Sequence, residues 1–216
     1  CKNSPSHRCG KTFLQMIGVI DYGIGNVQAF LNIYKSLGIP AKRIRKNSDF
    51  TNATRFILPG VGSFDHAIEL LNRSGLVNTL EKSVFQDKCP LLGVCVGMQI
   101  LSESSEEGDL PGLGWIPGRV KKFEDSLDIP LPHMGWNDLI FSKNSKLFKD
   151  FDPNPIFYFL HSYYFSANNH NDVIGWANYG KKYDCVVQNK NIYGIQCHPE
   201  KSHNYGILLL KNFSEL

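Results

Sequence analysis

The run Pro90-Leu91-Leu92-Gly93-Val94-Cys95-Val96-Gly97-Met98-Gln99-Ile100-Leu101 constrains the fold of this chain more than any other stretch. It opens as a short continuous apolar segment, passes through Gly-x-Cys-x-Gly, and leaves in residues that favour helix. A buried strand that turns sharply into a helix has this form, because the two approach so closely that only small residues fit beside the turn. Gly93 and Gly97 meet that need, with Cys95 between them. The pattern is that of a nucleophile elbow carrying cysteine where hydrolases place serine. The helix N-terminus beyond it is expected to supply free N–H groups and a positive dipole, which lower a thiol's pKa and hold an oxyanion. A buried cysteine in a tight turn has the same local sequence, since free cysteines are common in cores. The remainder of the chain separates the two readings.

Upstream, residues 16–21 read as a buried strand, and Val27 to Leu37 repeats apolar residues at helical spacing until Gly38 and Pro40 stop it. The turn between them, Tyr22-Gly23-Ile24-Gly25-Asn26, lacks the third glycine and the spaced acid of a dinucleotide site, so a plain βα turn is expected. Residues 41–45 and 55–58 read as strands, Pro59-Gly60-Val61-Gly62-Ser63 as a loop, and residues 64–71 and 76–85 as helices. Strands alternating with helices predict an α/β fold with a mostly parallel, flavodoxin-like sheet flanked by helices. Ligands in such sheets sit at the carboxyl ends of the strands, which puts the Pro59–Ser63 loop and Cys95 on one rim. Past Gly108, short β-like runs take over at 113–123, 134–141, 156–165, 173–177, 184–188 and 192–197. Turns such as Asn189-Lys190-Asn191 make these an additional antiparallel region. A last helix is expected over 203–213, and residues 16–216 read as one domain without a linker.

At 216 residues the chain is long enough to bury a sizeable core. A net charge of +3 and a pI near 8.5 are too mild to argue for nucleic acid. The cluster Lys42, Arg43, Arg45 and Lys46 reads as a solvated strand end. The six cysteines (Cys1, Cys9, Cys89, Cys95, Cys185 and Cys197) form no CxxC pair, which fits a reducing compartment, the cytoplasm. No apolar run is long enough to cross a membrane. Residues 1–15 are polar, aperiodic and without a signal-peptide core, and read as a leader or added extension outside the fold. Cys1, Cys9 and His7 match no zinc spacing, and neither a metal nor another cofactor is expected.

A cysteine nucleophile needs a base, and the base needs an orienting group. His198-Pro199-Glu200 follows the run Ile192–Cys197. If that strand continues, His198 and Glu200 project to the same side, and the carboxylate fixes the imidazole tautomer as in a triad. A surface His-Pro-Glu turn is the alternative. A zinc-deaminase reading fails because no Pro-Cys-x-x-Cys follows.

The elbow Gly93–Gln99 together with His198-Pro199-Glu200-Lys201-Ser202 resembles the class I, triad-type glutamine amidotransferases. More narrowly, it resembles the glutaminase subunits of imidazole glycerol phosphate synthase. Asp21-Tyr22-Gly23-x-Gly25-Asn26, Leu58–Gly62, Ser105-Glu106-Glu107-Gly108, Pro132–Asn137 and His161-Ser162-Tyr163 extend the resemblance across residues 16–216. It implies that Cys95 attacks the carboxamide of glutamine, that His198 moves protons and that Glu200 orients it. It also implies an oxyanion hole from the amides of Val96 and Val61, the latter after a peptide rotation eased by Gly60 and Gly62. Gln99, Glu107 and the segment His161, Ser162, Tyr163 match positions that hold the ends of the substrate. The implied partner is a (β/α)8 cyclase that receives ammonia through a tunnel, with Trp136, Tyr158 and Lys201 at the interface.

Three departures stand out: the first-helix sequence Asn26–Tyr34, Val96 where leucine is common, and Cys197 where an aromatic is usual. They keep open a paralogous glutaminase feeding an enzyme that amidates surface-glycan sugars. A cysteine peptidase or esterase on an α/β scaffold is a further reading, although it has no use for Ser105–Gly108. A binding module with a vestigial elbow is opposed by the intact Cys95, His198 and Glu200.

Overall fold

Apolar runs separated by helices and turns supply the strands of the computed structural model, which describes residues 16–216 except 125, 127 and 143. The extension expected over residues 1–15 lies outside the described residues. In chain order the first half holds β1 (Ile17–Ile20), α1 (Val27–Ser36), β2 (Ala41–Ile44), β3 (Arg55–Gly60), α2 (Phe64–Ser74), α3 (Val77–Glu81), β4 (Leu91–Cys95) and α4 (Val96–Gln99). The second half holds β5 (Ser104–Ser105), β6 (Gly118–Lys122), β7 (His133–Asp138), β8 (Ile140–Phe141), β9 (Ile156–His161), β10 (Tyr163–Ala167), β11 (Val173–Tyr179), β12 (Lys181–Asn189), β13 (Ile192–Ile195) and α5 (His203–Ser214).

Strands β2-β1-β3-β4-β13 lie side by side and parallel. The first four are the α/β half read from the alternation, whereas β13, expected in the antiparallel region, is antiparallel to β12 only and joins β4 in parallel. The sheet continues antiparallel through β12, β10 and β6, with β5 parallel on β6 and β11 and β8 branching from β12. Strands β7 and β9 form a separate antiparallel ribbon. Strands β1, β3, β4 and β13 are buried along their whole length, as expected where both faces of a parallel sheet are covered. No described helix is long and apolar enough to cross a membrane.

Four further expectations are corrected. The helix beyond Cys95 is a single turn, because the chain at Leu113–Ile116 donates to the Ile100 and Leu101 carbonyls and ends it there. The helix expected over 76–85 is α-helical only over Val77–Glu81 and widens into a π-turn at Lys82–Gln86. The run 156–165 breaks at Ser162, where β9 belongs to the ribbon and β10 to the main sheet. The strand leading to His198 stops at Ile195, and Pro199–Lys201 is a 3-10 turn.

The turn after β1 is indeed a plain βα turn. The Asn26 side chain caps α1 by accepting from the Ala29 amide, and the Tyr22 hydroxyl donates to the Pro59 carbonyl at 2.7 Å. The basic cluster is largely tied down locally: Arg43 and Arg45 both reach the Asp21 carboxylate, at 3.0 and 2.8 Å.

Candidate active site

Cys95 ends β4 in a left-handed backbone conformation, φ 55 and ψ −116. For a non-glycine residue this costs on the order of 1–3 kcal/mol and persists only where the surroundings impose it. Here β3 and β13 pair with β4 on its two sides, and Gly60 lies opposite Cys95 in the register. The elbow's small residues are required by contact. A Cβ on Gly97 would fall 1.9 Å from the Leu58 carbonyl oxygen, and one on Gly60 2.3 Å from the Gly97 amide. Gly93 is walled in by the Gly97 carbonyl in the same way. With α4 only one turn long, the expected macrodipole reduces to the individual N–H groups of that turn.

His198 Nδ1 lies 2.9 Å from Glu200 Oε1, and both side chains are almost fully buried. The pairing foreseen from a continued strand is therefore made by the 3-10 turn instead. With Nδ1 facing the carboxylate, Nε2 is left for Cys95. Burial would push the imidazole down, but hydrogen bonds and charges from Cys95 and Glu200 outweigh it and raise His198 to about 10. Ser202 braces this turn: its hydroxyl donates to the His198 carbonyl at 2.6 Å and accepts from the Tyr158 amide at 3.0 Å. The His198 amide in turn donates to the Tyr158 carbonyl at 2.9 Å.

Cys95 and His198 open into a cavity of about 280 Å³, whose walls include Val61, Gly62, Val96, Gln99, Glu107, His161, Ser162 and Tyr163. Most of the residues expected at the substrate thus gather in one place, and Pro132 and Leu160 join them. Lys201, expected at a partner interface, also lines this cavity, with its ammonium 5.6 Å from the centre of the Tyr158 ring. Gly62 adopts φ 89 with open space around it, whereas Gly60 is packed against α4.

The motif Ser105-Glu106-Glu107-Gly108 has a definite local logic. Ser105 Oγ accepts from the Glu107 amide, and Glu107 Oε2 accepts from the Phe64 amide at the start of α2. Gly108 packs against the Asp65 carboxylate, where a Cβ would lie 2.1 Å from Oδ1. Burial lifts the Glu107 carboxyl above its usual range, with the Phe64 N–H opposing and Asp65 adding.

Gln99 does not face solvent. It is buried, and its Nε2 donates to the Tyr163 carbonyl at 3.0 Å and to Gln196 Oε1 at 3.1 Å. His161 is committed as well. Its Nδ1 meets the Tyr163 carbonyl at 2.8 Å, so that nitrogen carries the proton, and the acceptor Nε2 has His133 Nδ1 at 3.1 Å and the Tyr183 hydroxyl at 3.2 Å sharing its one lone pair. Burial pushes His161 down to about 3 and His133 to about 4, so both rings are neutral near pH 7.

Sequence reasoning missed Gln196, Ser202, His133 and Tyr183. Gln196 and Ser202 flank the His-Pro-Glu motif at close spacing, which was a usable signal. His133 carried none beyond its place in Pro132–Asn137, and Tyr183 carried none.

Trp136, Tyr158 and Lys201 fall together on the outer face of the β7–β9 ribbon. Trp136 pairs with Tyr158 in the register, their rings 5.8 Å apart, and stacks on His203 at 5.0 Å. Met134, Ile156 and Leu160 are exposed on the same face.

The family model for Glutamine amidotransferase class-I matches residues 18–215. Imidazole glycerol phosphate synthase subunit HisH of Bdellovibrio bacteriovorus is 53% identical over 204 residues, covering 93% of this chain and 100% of that protein. The chloroplastic imidazole glycerol phosphate synthase hisHF of Arabidopsis thaliana is 39% identical over 213 residues, covering 97% of this chain but 36% of the plant protein. Among solved structures, PurLQS from Thermotoga maritima shares the fold, with a TM-score of 0.71 at 16% identity over 92% of this chain and 97% of that one.

Proposed function

The chain belongs to the class-I glutamine amidotransferase family, and from that premise we propose that Cys95, His198 and Glu200 hydrolyse L-glutamine to glutamate and ammonia. Within the family it is a glutaminase subunit of the HisH type, serving imidazole glycerol phosphate synthase in histidine biosynthesis. One observation carries the mechanism: Cys95 and the Glu200-paired His198 line a single cavity together with Glu107 and the His161–Tyr163 segment.

The Cys95 thiolate adds to the carboxamide carbon. The resulting oxyanion is held by the Val96 amide, at the start of α4, and by the Val61 amide once its loop is set. His198 already carries the proton that departing ammonia needs, so C–N cleavage leaves a γ-glutamyl thioester and a neutral imidazole. Water then gives a proton to His198 and attacks the thioester, which releases glutamate and restores the thiolate. Glu107 receives the substrate ammonium group, while Gln99, Ser162 and Tyr163 shape the opposite end of the site.

Ammonia released into water would be protonated, so the subunit works docked on a synthase that takes the ammonia directly. A (β/α)8 cyclase docks on the outer face of the β7–β9 ribbon, through Trp136, Tyr158 and Lys201. In support, that face is apolar and uncovered, and the plant relative named hisHF has length beyond the part matched here. Tyr158 is hydrogen-bonded to the His198 turn, which gives docking a short route to the base. The relatives' names favour this function over the glycan-pathway paralogue and the peptidase or esterase. A cytoplasmic location belongs to the same reading, and the biosynthetic role that the bacterial relative's name carries is compatible with it.

The test is glutamate release from glutamine by the wild-type and Cys95→Ala proteins, with and without the cyclase and its nucleotide substrate. Wild-type release should be low alone and rise with the partner. Equal release by both proteins refutes the mechanism, and high release without any partner refutes the gating.

A further inference from the structure

Gln196 is completely buried two residues before His198, and none of the steps above uses it. Its Nε2 lies 3.7 Å from Cys95 Sγ, within reach of a hydrogen bond to sulfur. The direction of that amide is forced by its neighbours. The Tyr163 carbonyl can only accept, so Gln99 presents nitrogen to it. The second hydrogen of the same nitrogen goes to Gln196, which must answer with oxygen and therefore turns its own nitrogen to the sulfur. The Gln196 amide donates to the Cys185 carbonyl at 2.8 Å, which fixes the backbone.

The sulfur has a competing neighbour in the Leu160 carbonyl, 3.9 Å away, which favours the S–H form because it accepts from a thiol. An amide N–H favours the thiolate instead. We propose that Gln196 is a positioning residue whose side-chain amide donates to the Cys95 thiolate, held in that direction by the chain from Tyr163 through Gln99. The inference rests on the glutaminase reading of Cys95 and deepens it. The donor matters most when the thioester breaks. As water's oxygen bonds the acyl carbon, the C–S electron pair returns to sulfur while His198 is occupied with water's proton. Gln196 is then the neutral donor already in place. A glutamine that merely fills the core would satisfy its own amide without affecting sulfur titration.

The test uses the full chain, alone and with its cyclase, as Gln196→Met and Gln196→Glu. Methionine keeps the length and loses the donor. Glutamate keeps an acceptor for Gln99 but turns an oxygen to the sulfur. The rate of Cys95 alkylation by iodoacetamide is followed against pH, with Cys95→Ala protein as the blank for the other cysteines. In Gln196→Met the alkylation midpoint should rise by about one pH unit and kcat should fall about tenfold, with KM within about twofold. The Gln196→Glu midpoint should rise further. An unmoved midpoint in either folded variant overturns the proposal. Should neither fold, Gln99→Met breaks the chain one link back and must move the midpoint the same way, and an unmoved midpoint there overturns it equally. Glutamate release that survives Cys95→Ala defeats the underlying reading instead.

Discussion

The elbow half of the molecule and the β7–β9 ribbon are both made of short strands, yet one is closed and the other is left open. Around Cys95 the backbones of β3, β4 and α4 touch with no space for a Cβ at Gly60, Gly93 or Gly97, and every residue of β3 and β4 is buried. The ribbon alternates instead. Its inner face buries His133, Phe157, Phe159 and His161, while its outer face leaves Met134 66%, Trp136 49% and Ile156 44% exposed. A parallel sheet covered on both sides needs nothing more to fix its nucleophile. A two-stranded ribbon can bury only one face against its own chain, so its apolar outer face stays exposed, which is the basis of the docking proposed above. The two regions meet at the His198 turn, which β9 holds by its backbone.

The sharpest way to break this contrast is Gly97→Ala. Its methyl has no place to go, so the closed half should lose about 3 kcal/mol of stability in denaturant titration. A loss below about 1 kcal/mol would show that α4 can move away.

Glu200→Gln should lower partner-stimulated glutamate release on the order of 10²-fold. It should also move the alkaline limb of kcat/KM. His198 is raised to about 10, so its proton is present below that pH and lost above it. Removing one of the groups that raise it must bring the limb down toward the ordinary histidine range, and an unmoved limb refutes Glu200 as the orienting group.

On the open side, Trp136→Ala should weaken cyclase binding by about 2 kcal/mol in calorimetry, while changing the unfolding free energy of the free subunit by under about 1 kcal/mol. The opposite pattern would make Trp136 a core residue.

The smallest effect concerns the ribbon's inner face. His133 and His161 are depressed in the folded state, so the stability they contribute is full above about pH 6.5 and drains away as pH falls through their folded values near 4 and 3. His133→Phe should flatten that acid decline by about 1 kcal/mol at pH 6, read from melts across pH.

Much of the candidate site was legible because it is local. Gly-x-Cys-x-Gly and His-x-Glu carry their chemistry within a few residues, and Ser105–Gly108 proved to cap α2 and seat Gly108 on Asp65. The parallel half was legible for a related reason: strands buried on both faces are written as continuous apolar runs. The break at Ser162 was not legible, since the same β-like run feeds two sheets and only their packing says where one ends. The length of α4 was equally hidden, because it is set by amides from Leu113–Ile116.

The sequence by itself determined that a cysteine sits at a strand-to-helix turn on the same rim as the Pro59–Ser63 loop, and that a histidine and a glutamate follow late in the chain. Those facts depend on residue type and short spacing, which survive in any fold the chain could adopt. Only the tertiary structure decided that a 3-10 turn, not a strand, brings Glu200 to His198, and that Gln99 turns inward to Gln196. It also decided that Gln196 reaches the sulfur from 101 residues away. Such contacts join segments far apart in the chain, and their geometry exists only once β13 has taken its place beside β4.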